Sequence, residues 1–483
     1  MKFFDSHQLT LTPLSPIHIG CGEDYDPTGY VTDAGRLWAF DPTRLPLNDA
    51  QRAELMGVLS GDISKVTQRL AQFYQGHMPA IREIATHNVG LSTNTFGGAE
   101  IARTSYALYS QTAYLPGSSI KGALRTAILD ERFHGWNPKP SAERADQLER
   151  TLAEGQFATD PLRLLKLADS TGVAETRICC QVNRYKKANR PGKAELDSQL
   201  EVIAPMQPAA FSVDVQIQRL ASLQAMRVDS AKVPNFVAPD AERLAVLSNR
   251  YAWREFTRET EEPCIRPLLS TVWLAAMQDI RLCINTATPT AFLLRIGKHC
   301  GAESLTIEGI RRIRIHSWAE PEAHTVWLAA DNRSQAQGLL PFGWVLCEIG
   351  EPSPKLRAIV EQCAQALRPA LPPPVPEANP AAPAAFRAPV MGFGPQPTTT
   401  TGRNTYALGD ELARFVQQSR KVNPKRDQST LQRTQNLLAA LPRCTPEERS
   451  YLANVLHHYG PQVFDDATWA ALSAKLPVAA LPN

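Results

Sequence analysis

The sequence predicts an α+β protein of two tandem α+β units, followed by a Pro-rich linker and a small all-α C-terminal module. Three observations predict it. Strand-like and helix-like segments alternate in blocks over roughly the first 350 residues. Ten of the 38 prolines then fall between Pro369 and Pro397, in "PALPPPVPEANPAAPAAFRAPVMGFGPQPTTTT", a composition that favours extended chain over a packed core. Beyond that stretch the apolar residues recur at helical spacing. The expected divisions are 1–170 and 171–352 for the two units, 366–402 for the linker and 403–483 for the helical module.

Each element has a local reason. "QLTLTPLSPIHIG" alternates enough to form an opening strand, and "GYVTDAGRLWAFD" forms a hairpin with Asp33-Ala34-Gly35 in its turn. Residues 41–90 read mainly as helix, and "GLSTNTFGGAE" as a polar loop. In "YLPGSSIKGALRTAIL" (114–129), Pro116 and Gly117 make a turn and Ser118 or Ser119 is the expected N-cap. Ile120, Leu124, Ala127 and Ile128 then share the buried face of a helix. "RLLKLADST" and "ETRICCQVNRY" open the second half, followed by the strand "AAFSVDVQIQRL" and helices through 240–280. Strands are expected at "AFLLRIG", "IRRIRIHSW" and "PFGWVLCEI". In the tail, Leu408, Leu412, Phe415 and Val416 mark one helix, and "TPEERSYLANVLHHYG" another, capped by Thr445 and ended at Gly460. Two more lie around 431–441 and 465–476.

Composition removes several function classes. The formal net charge of +3 is too small for a polycation, so any nucleic-acid surface must be local. The nine cysteines include no C-x-x-C, which argues against a disulfide framework or a structural zinc site and for reduced thiols. The opening "MKFFDSHQLT" has no apolar signal region, and the longest apolar stretch, near "LLSTVWLAAM", is far short of the ~20 residues that span a bilayer. A cytoplasmic protein without membrane attachment is expected. Acidic residues such as Asp24 and Asp26 do not cluster as metal-dependent catalysis requires, so neither metal nor cofactor is expected.

The chemistry-bearing residues are mostly basic. Lys121 and Arg125 share one face of the first two helical turns, where an anion would relieve their repulsion and their conflict with the helix dipole. The segment is not a phosphate-binding P-loop, because Lys121 precedes Gly122 and no hydroxyl residue follows. On the residues alone, a capped helix with solvated cations is the better account of it. His18, Gly20 and Gly22 form a tight turn in which histidine is either a general base or a packed structural residue. "RYKKANRPGK" carries five cations in ten residues, with Arg184, Lys186 and Lys187 around Tyr185. That composition suits stacking on a single strand, or a solvated loop. Arg295, Lys298, Arg311, Arg312 and Arg314 surround a late turn, and the last three read as the charged face of a strand, exposed to solvent rather than RNA-facing on the better of two readings. Arg414, Arg420, Lys421, Lys425, Arg426 and Arg433 make the first half of the tail basic, as a solvated face or a docking module.

Taken together, several of these segments resemble the RAMP (repeat-associated mysterious protein) superfamily of CRISPR effector subunits. "SPIHIGCGEDYDPTGYVTDAGRLWAFD" is similar to its opening strand, I-H-I-G-x-G turn and hairpin, and "YLPGSSIKGALRTAIL" to its P-G-S-S-[LI]-K-G segment. "RLLKLADST", "EVIAPMQPAAFSVDVQI", "LLRIGKHCGAESLTI" and "LPFGWVLCEI" resemble its later strands and turn. The order and spacing resemble most the member capping the crRNA 3′ end in type III-A (Csm-type) complexes, over about residues 1–350.

That resemblance implies two ferredoxin-like (RRM-like) units and a non-catalytic subunit that binds crRNA and supports its maturation. It implies contact with the repeated backbone RAMP subunit, a small helical subunit, target RNA and host ribonucleases. It assigns RNA contact to His18, Gly20, Gly22, Gly117, Ser118, Ser119, Lys121, Gly122, Arg125, Arg184, Tyr185, Lys186, Lys187, Arg295 and Lys298. The alternatives are a RAMP-fold endoribonuclease processing precursor crRNA, another RAMP position such as a Cmr-type end subunit, or an interaction scaffold without an RNA site.

Overall fold

Strand Phe4–Pro13 lies at the centre of the first of two sheets, and its alternation explains why. Leu9 and Leu11 turn inward onto one core while the intervening residues face the other way, as a two-residue period requires. The computed structural model describes residues 3–60, 65–92, 100–108, 110–136, 151–153, 160–186, 197–219, 240–284, 288–315, 318–367, 428–440, 460–461 and 463–473, with single positions 147, 412 and 456. Contacts divide the chain into Met1–Asn379 and Pro380–Asn483.

In the first sheet the order is Ala291–Arg295, Trp344–Ile349, Phe4–Pro13, Phe211–Gln218 and Leu165–Leu167, all antiparallel, with Thr171–Gly172 also on Phe211–Gln218. Helix Gly117–Trp136 follows the first strand and helix Ala241–Thr260 follows Phe211–Gln218. Stripped of insertions, the chain runs β-α-β-β-α and then two strands, Ala291–Arg295 at the edge and Trp344–Ile349 beside the first strand, so that Trp344–Ile349 takes the fourth-strand place of the ferredoxin-like plan. Ile120, Leu124 and Ile128 of the first helix and Leu244 and Leu247 of the second pack with Leu9, Val213 and Val345 of the sheet.

The second sheet is assembled from what lies between those elements. Its order is Gly20–Tyr25, Ile101–Thr104, Asp197–Ile203, Thr176–Tyr185, His87–Leu91, Arg36–Ala39 and Tyr30–Asp33. Strand Thr325–Ala330 pairs with the distal half of Thr176–Tyr185, from Cys180 to Tyr185, and His87–Leu91 with the proximal half at Arg177 and Ile178. The α+β class and the two sheets agree with expectation. Each sheet, however, takes strands from both sides of residue 170, so the two interlace along the chain.

Local signals hold where they were strong. The hairpin turn has Ala34 at φ 47° and Gly35 at φ 74°, the left-handed pair that suits the twist of flanking strands. Helices Asp49–Leu59, Val66–Gln75 and Met78–Ile84 fill most of 41–90. Helices Thr271–Cys283 and Pro354–Leu367 cover a second core around Trp273, Phe256 and Trp344. In the C-terminal unit, Gln428–Ala440 and Asp466–Ser473 are helices near the expected positions. The Pro-rich stretch, nearly all of the expected 407–421 helix and most of 445–460 lie outside the described residues.

Candidate nucleic-acid interface

The G-S-S-I-K-G helix start is locked to the "LADS" segment. Ser170 donates its N–H to the Leu115 carbonyl (3.0 Å) while its Oγ accepts from Leu115 N–H (2.8 Å). The helix begins at Gly117, ahead of both serines, and the Gly117 N–H donates to Asp169 Oδ1 at 2.8 Å. Neither serine is the N-cap. A carboxylate 52 residues away occupies the helix N-terminus, where the dipole favours negative charge. Lys121 Nζ donates to the Leu165 carbonyl at 2.8 Å, and burial holds its ammonium below its ordinary value. Gly117 is glycine for packing: a Cβ there would lie 2.5 Å from the Ala168 carbonyl oxygen. Gly122 is exposed with nothing near its missing Cβ, Ser118 is exposed, and Ser119 and Arg125 are half-buried.

The His18 turn is locked just as firmly to the late glycine turn. His18 is buried, and its Nδ1–H donates to the Glu201 carbonyl at 2.7 Å. Burial depresses its pKa, with the Lys298 charge adding to that and the Glu201 carbonyl opposing it. The Lys298 N–H donates to the His18 carbonyl (2.8 Å), and a Cβ on Gly297 would stand 2.5 Å from that same oxygen. His299, with φ 67°, sets its ring 6.2 Å from that of His18. Gly20 and Gly22, expected in a tight turn, lie in the edge strand Gly20–Tyr25, which is exposed up to Asp24; Gly22 is at φ 82° with open space around it. The Lys298 side chain is exposed.

Other expected contacts separate from these two turns. Arg295 is buried: it donates to Glu259 Oε1 (2.6 Å), Ser304 Oγ (2.9 Å) and the Phe342 carbonyl (3.0 Å), and lies over the Trp344 ring. It is a core ion pair, removed from any surface ligand. Arg184 is also buried, donating to the carbonyls of Asn183 and Gln335, so it too serves the core. Lys186 pairs with Glu303 at 2.7 Å, and Tyr185 is half-buried at the strand end. Lys187 lies outside the described residues. Arg311, expected on an exposed face, is buried beside Glu255, while Arg312 is exposed.

Sequence reasoning missed the polar cluster beneath the His18 turn. Tyr25 Oη lies 2.8 Å from His87 Nε2 and 3.1 Å from Glu201 Oε2, which also accepts from the Thr104 N–H. The Arg103 guanidinium sits over the rings of Tyr106 (3.7 Å) and Tyr25 (4.8 Å). Burial raises the Glu201 carboxyl and lowers His87 to about 3, so His87 is neutral. The available signal was an acid flanked by apolar residues in "LEVI"; its partners are 97 to 176 residues distant.

With this geometry in place, comparison with known proteins identifies the class. A family model described as the RAMP superfamily matches residues 10–194, so this segment forms a RAMP superfamily domain containing both glycine-rich turns at His18 and Gly117. The chain is similar to a protein described as "CRISPR system Cms protein Csm5" from Methanocaldococcus jannaschii, 24% identical over 230 residues, which cover 42% of this chain and 51% of that one. The match thus spans about half the length of that relative. Among solved structures, a chain of a Csm–crRNA–target RNA ternary complex from a type III-A CRISPR-Cas system aligns with 71% of this chain and 100% of its own, at 17% identity and a TM-score of 0.46. The crystal structure of T. onnurineus Csm5 aligns over the same shares at 14% identity and a TM-score of 0.43.

Among the described residues no helix is long and apolar enough to cross a membrane.

Proposed function

We propose that this chain is a non-catalytic RNA-binding subunit of a Csm-type (type III-A) CRISPR effector, ending its backbone filament by holding the 3′ part of the crRNA and supporting crRNA maturation. The observation that carries the proposal is the RAMP match over 10–194, which includes the glycine-rich turns at His18 and Gly117. The similarity to Csm5 supports the Csm-type assignment. The contacts proposed are surface ones: Gly22, Ser118, Gly122 and Lys298, with half-buried Ser119 and Arg125 beside them. The repeated backbone RAMP subunit, the small helical subunit and maturation ribonucleases are the proposed partners, in the cytoplasm.

A non-catalytic role fits the state of His18. A general base must reach its proton within hydrogen-bond distance. His18 is buried, and among the described hydrogen bonds no acid partner meets its ring.

The test is binding of labelled crRNA by the purified full chain at two salt concentrations, with product lanes. Affinity that falls steeply with salt, RNA left intact, and weaker binding by Lys298→Ala are expected. No binding at low salt, or cut RNA that His18→Ala protects, would overturn the proposal.

A further inference from the structure

The helix Ala241–Thr260 buries one side through Leu244, Leu247 and Phe256 and carries Arg250, Arg254 and Arg258 along another. Four-residue spacing places successive guanidinium groups on one face, about 6 Å apart along the axis. From the neighbouring helix Thr271–Cys283, Arg281 lies 5.3 Å over the ring of Trp253. These four arginines line an open cleft of about 550 Å³ in which Glu255 and Glu308 are the carboxylates.

The arginines are held in place without being used up. Arg254 pairs with Asp130 (2.8 Å) and Glu308 (3.1 Å), Arg250 with Glu131, and Arg258 with Glu255. A guanidinium has five N–H donors, so one carboxylate fixes its plane and leaves donors facing the cleft. Arg281 meets no carboxylate among the described residues, and the Arg250 side chain is 58% exposed. With Arg243 on Glu131 and Arg311 on Glu255 counted as well, six arginines stand against the four carboxylates Asp130, Glu131, Glu255 and Glu308, which leaves the cleft electropositive in a chain whose total charge is only +3.

The geometry points to a second RNA site here: a groove that grips the phosphate backbone of single-stranded RNA through Arg250, Arg254, Arg258 and Arg281, apart from both glycine-rich turns. This rests on the proposal that the chain binds RNA. A run of evenly spaced forks matches a ligand with repeating phosphates better than a single small anion, and guanidinium binds phosphate through paired N–H bonds. No base contact is implied, so the groove grips any sequence.

The test compares the full-length chain with Arg250→Ala/Arg281→Ala, the two most solvent-facing arginines, and with the Arg250→Lys/Arg281→Lys counterpart. The probes are a labelled single-stranded RNA, titrated across salt concentrations, and a poly-glutamate peptide. The alanine pair is expected to lower RNA affinity about tenfold and to reduce the log–log salt slope by ~1.4, the loss of two single-strand phosphate contacts. Its melting temperature should be unchanged, and the lysine pair should recover most of the slope. Unchanged affinity and slope in the alanine pair, with wild type binding RNA, overturns the groove and leaves the RNA-binding function standing. Loss of poly-glutamate binding alone assigns the groove to an acidic protein segment and overturns it as an RNA site. Wild type that binds no RNA at low salt overturns both.

Discussion

The two glycine-rich turns use the same device for opposite ends. At Gly117 the missing Cβ lets the helix start press against the Ala168 carbonyl, and the partners that an external anion would need are met from within: Asp169 on the N-terminal N–H and Leu165 on Lys121. At His18 the missing Cβ of Gly297 lets one turn sit on another, yet what remains outside is an exposed strand and the Lys298 side chain. Glycine and lysine in a motif therefore do not by themselves mark a ligand. What separates the regions is whether the fold already supplies the counter-group. The same distinction divides Arg295, whose guanidinium is spent on Glu259, from Lys298 three residues later.

Acid should break the His18 region first. His87 and His299 are both lowered from 6.5 to about 3, by burial first and then by the nearby cations Arg103 and Lys298, with His18 adding to the effect on His299. Their folded pKa values lie below the unfolded ones, so the stability they contribute is present above pH 6.5 and lost as pH falls toward 3. Each histidine accounts for about 1.4 kcal/mol per pH unit inside that window. Glu201, raised by burial, acts in the opposite sense near its own titration, with stability lost as pH rises through its folded value. Three histidines, since burial lowers His18 as well, against one carboxyl leave a net loss on the acid side. Urea melts across pH should show a midpoint that falls below pH 6.5, and His87→Gln should flatten the slope.

Arg295→Ala should cost about 3–5 kcal/mol, because it strands a buried Glu259 carboxylate. Lys298→Ala should leave the melt unchanged, and equal effects from the two would erase the contrast. A smaller loss, about 2–3 kcal/mol, is expected for Gly117→Ala, whose Cβ meets backbone that cannot yield cheaply. Smallest is Gly122→Ala, five residues on in the same motif and facing open space. It should stabilise by about 0.5–1 kcal/mol, since only helix propensity changes. If Gly117→Ala and Gly122→Ala shift thermal midpoints in the same direction, the packing account of Gly117 is wrong.

The sequence was legible where a signal is local. The hairpin over 30–39, the opening strand and the helix after Gly117 follow from period, turn chemistry and apolar spacing. Strand Gly20–Tyr25 was hidden because its glycines and acids suit an exposed edge and carry no alternation. Interlacing was hidden for another reason: a strand's pattern shows that it pairs, never with which sheet. Site residues failed in the same way. Arg295 and Arg184 look like surface cations until Glu259 and the Gln335 carbonyl, 36 and 151 residues away, are brought to them. The Tyr25–His87–Glu201 cluster has no local spacing to find, and Asp169 read as part of a strand until it capped a helix.

The most direct test of the central proposal is to assemble the effector with and without this chain, by co-expression with the other Csm-type subunits, and to sequence the retained crRNA. Discrete, protected 3′ ends with the chain, and ragged or lengthened ends without it, are the predicted result. Identical crRNA ends and an unchanged filament in its absence would contradict a capping role.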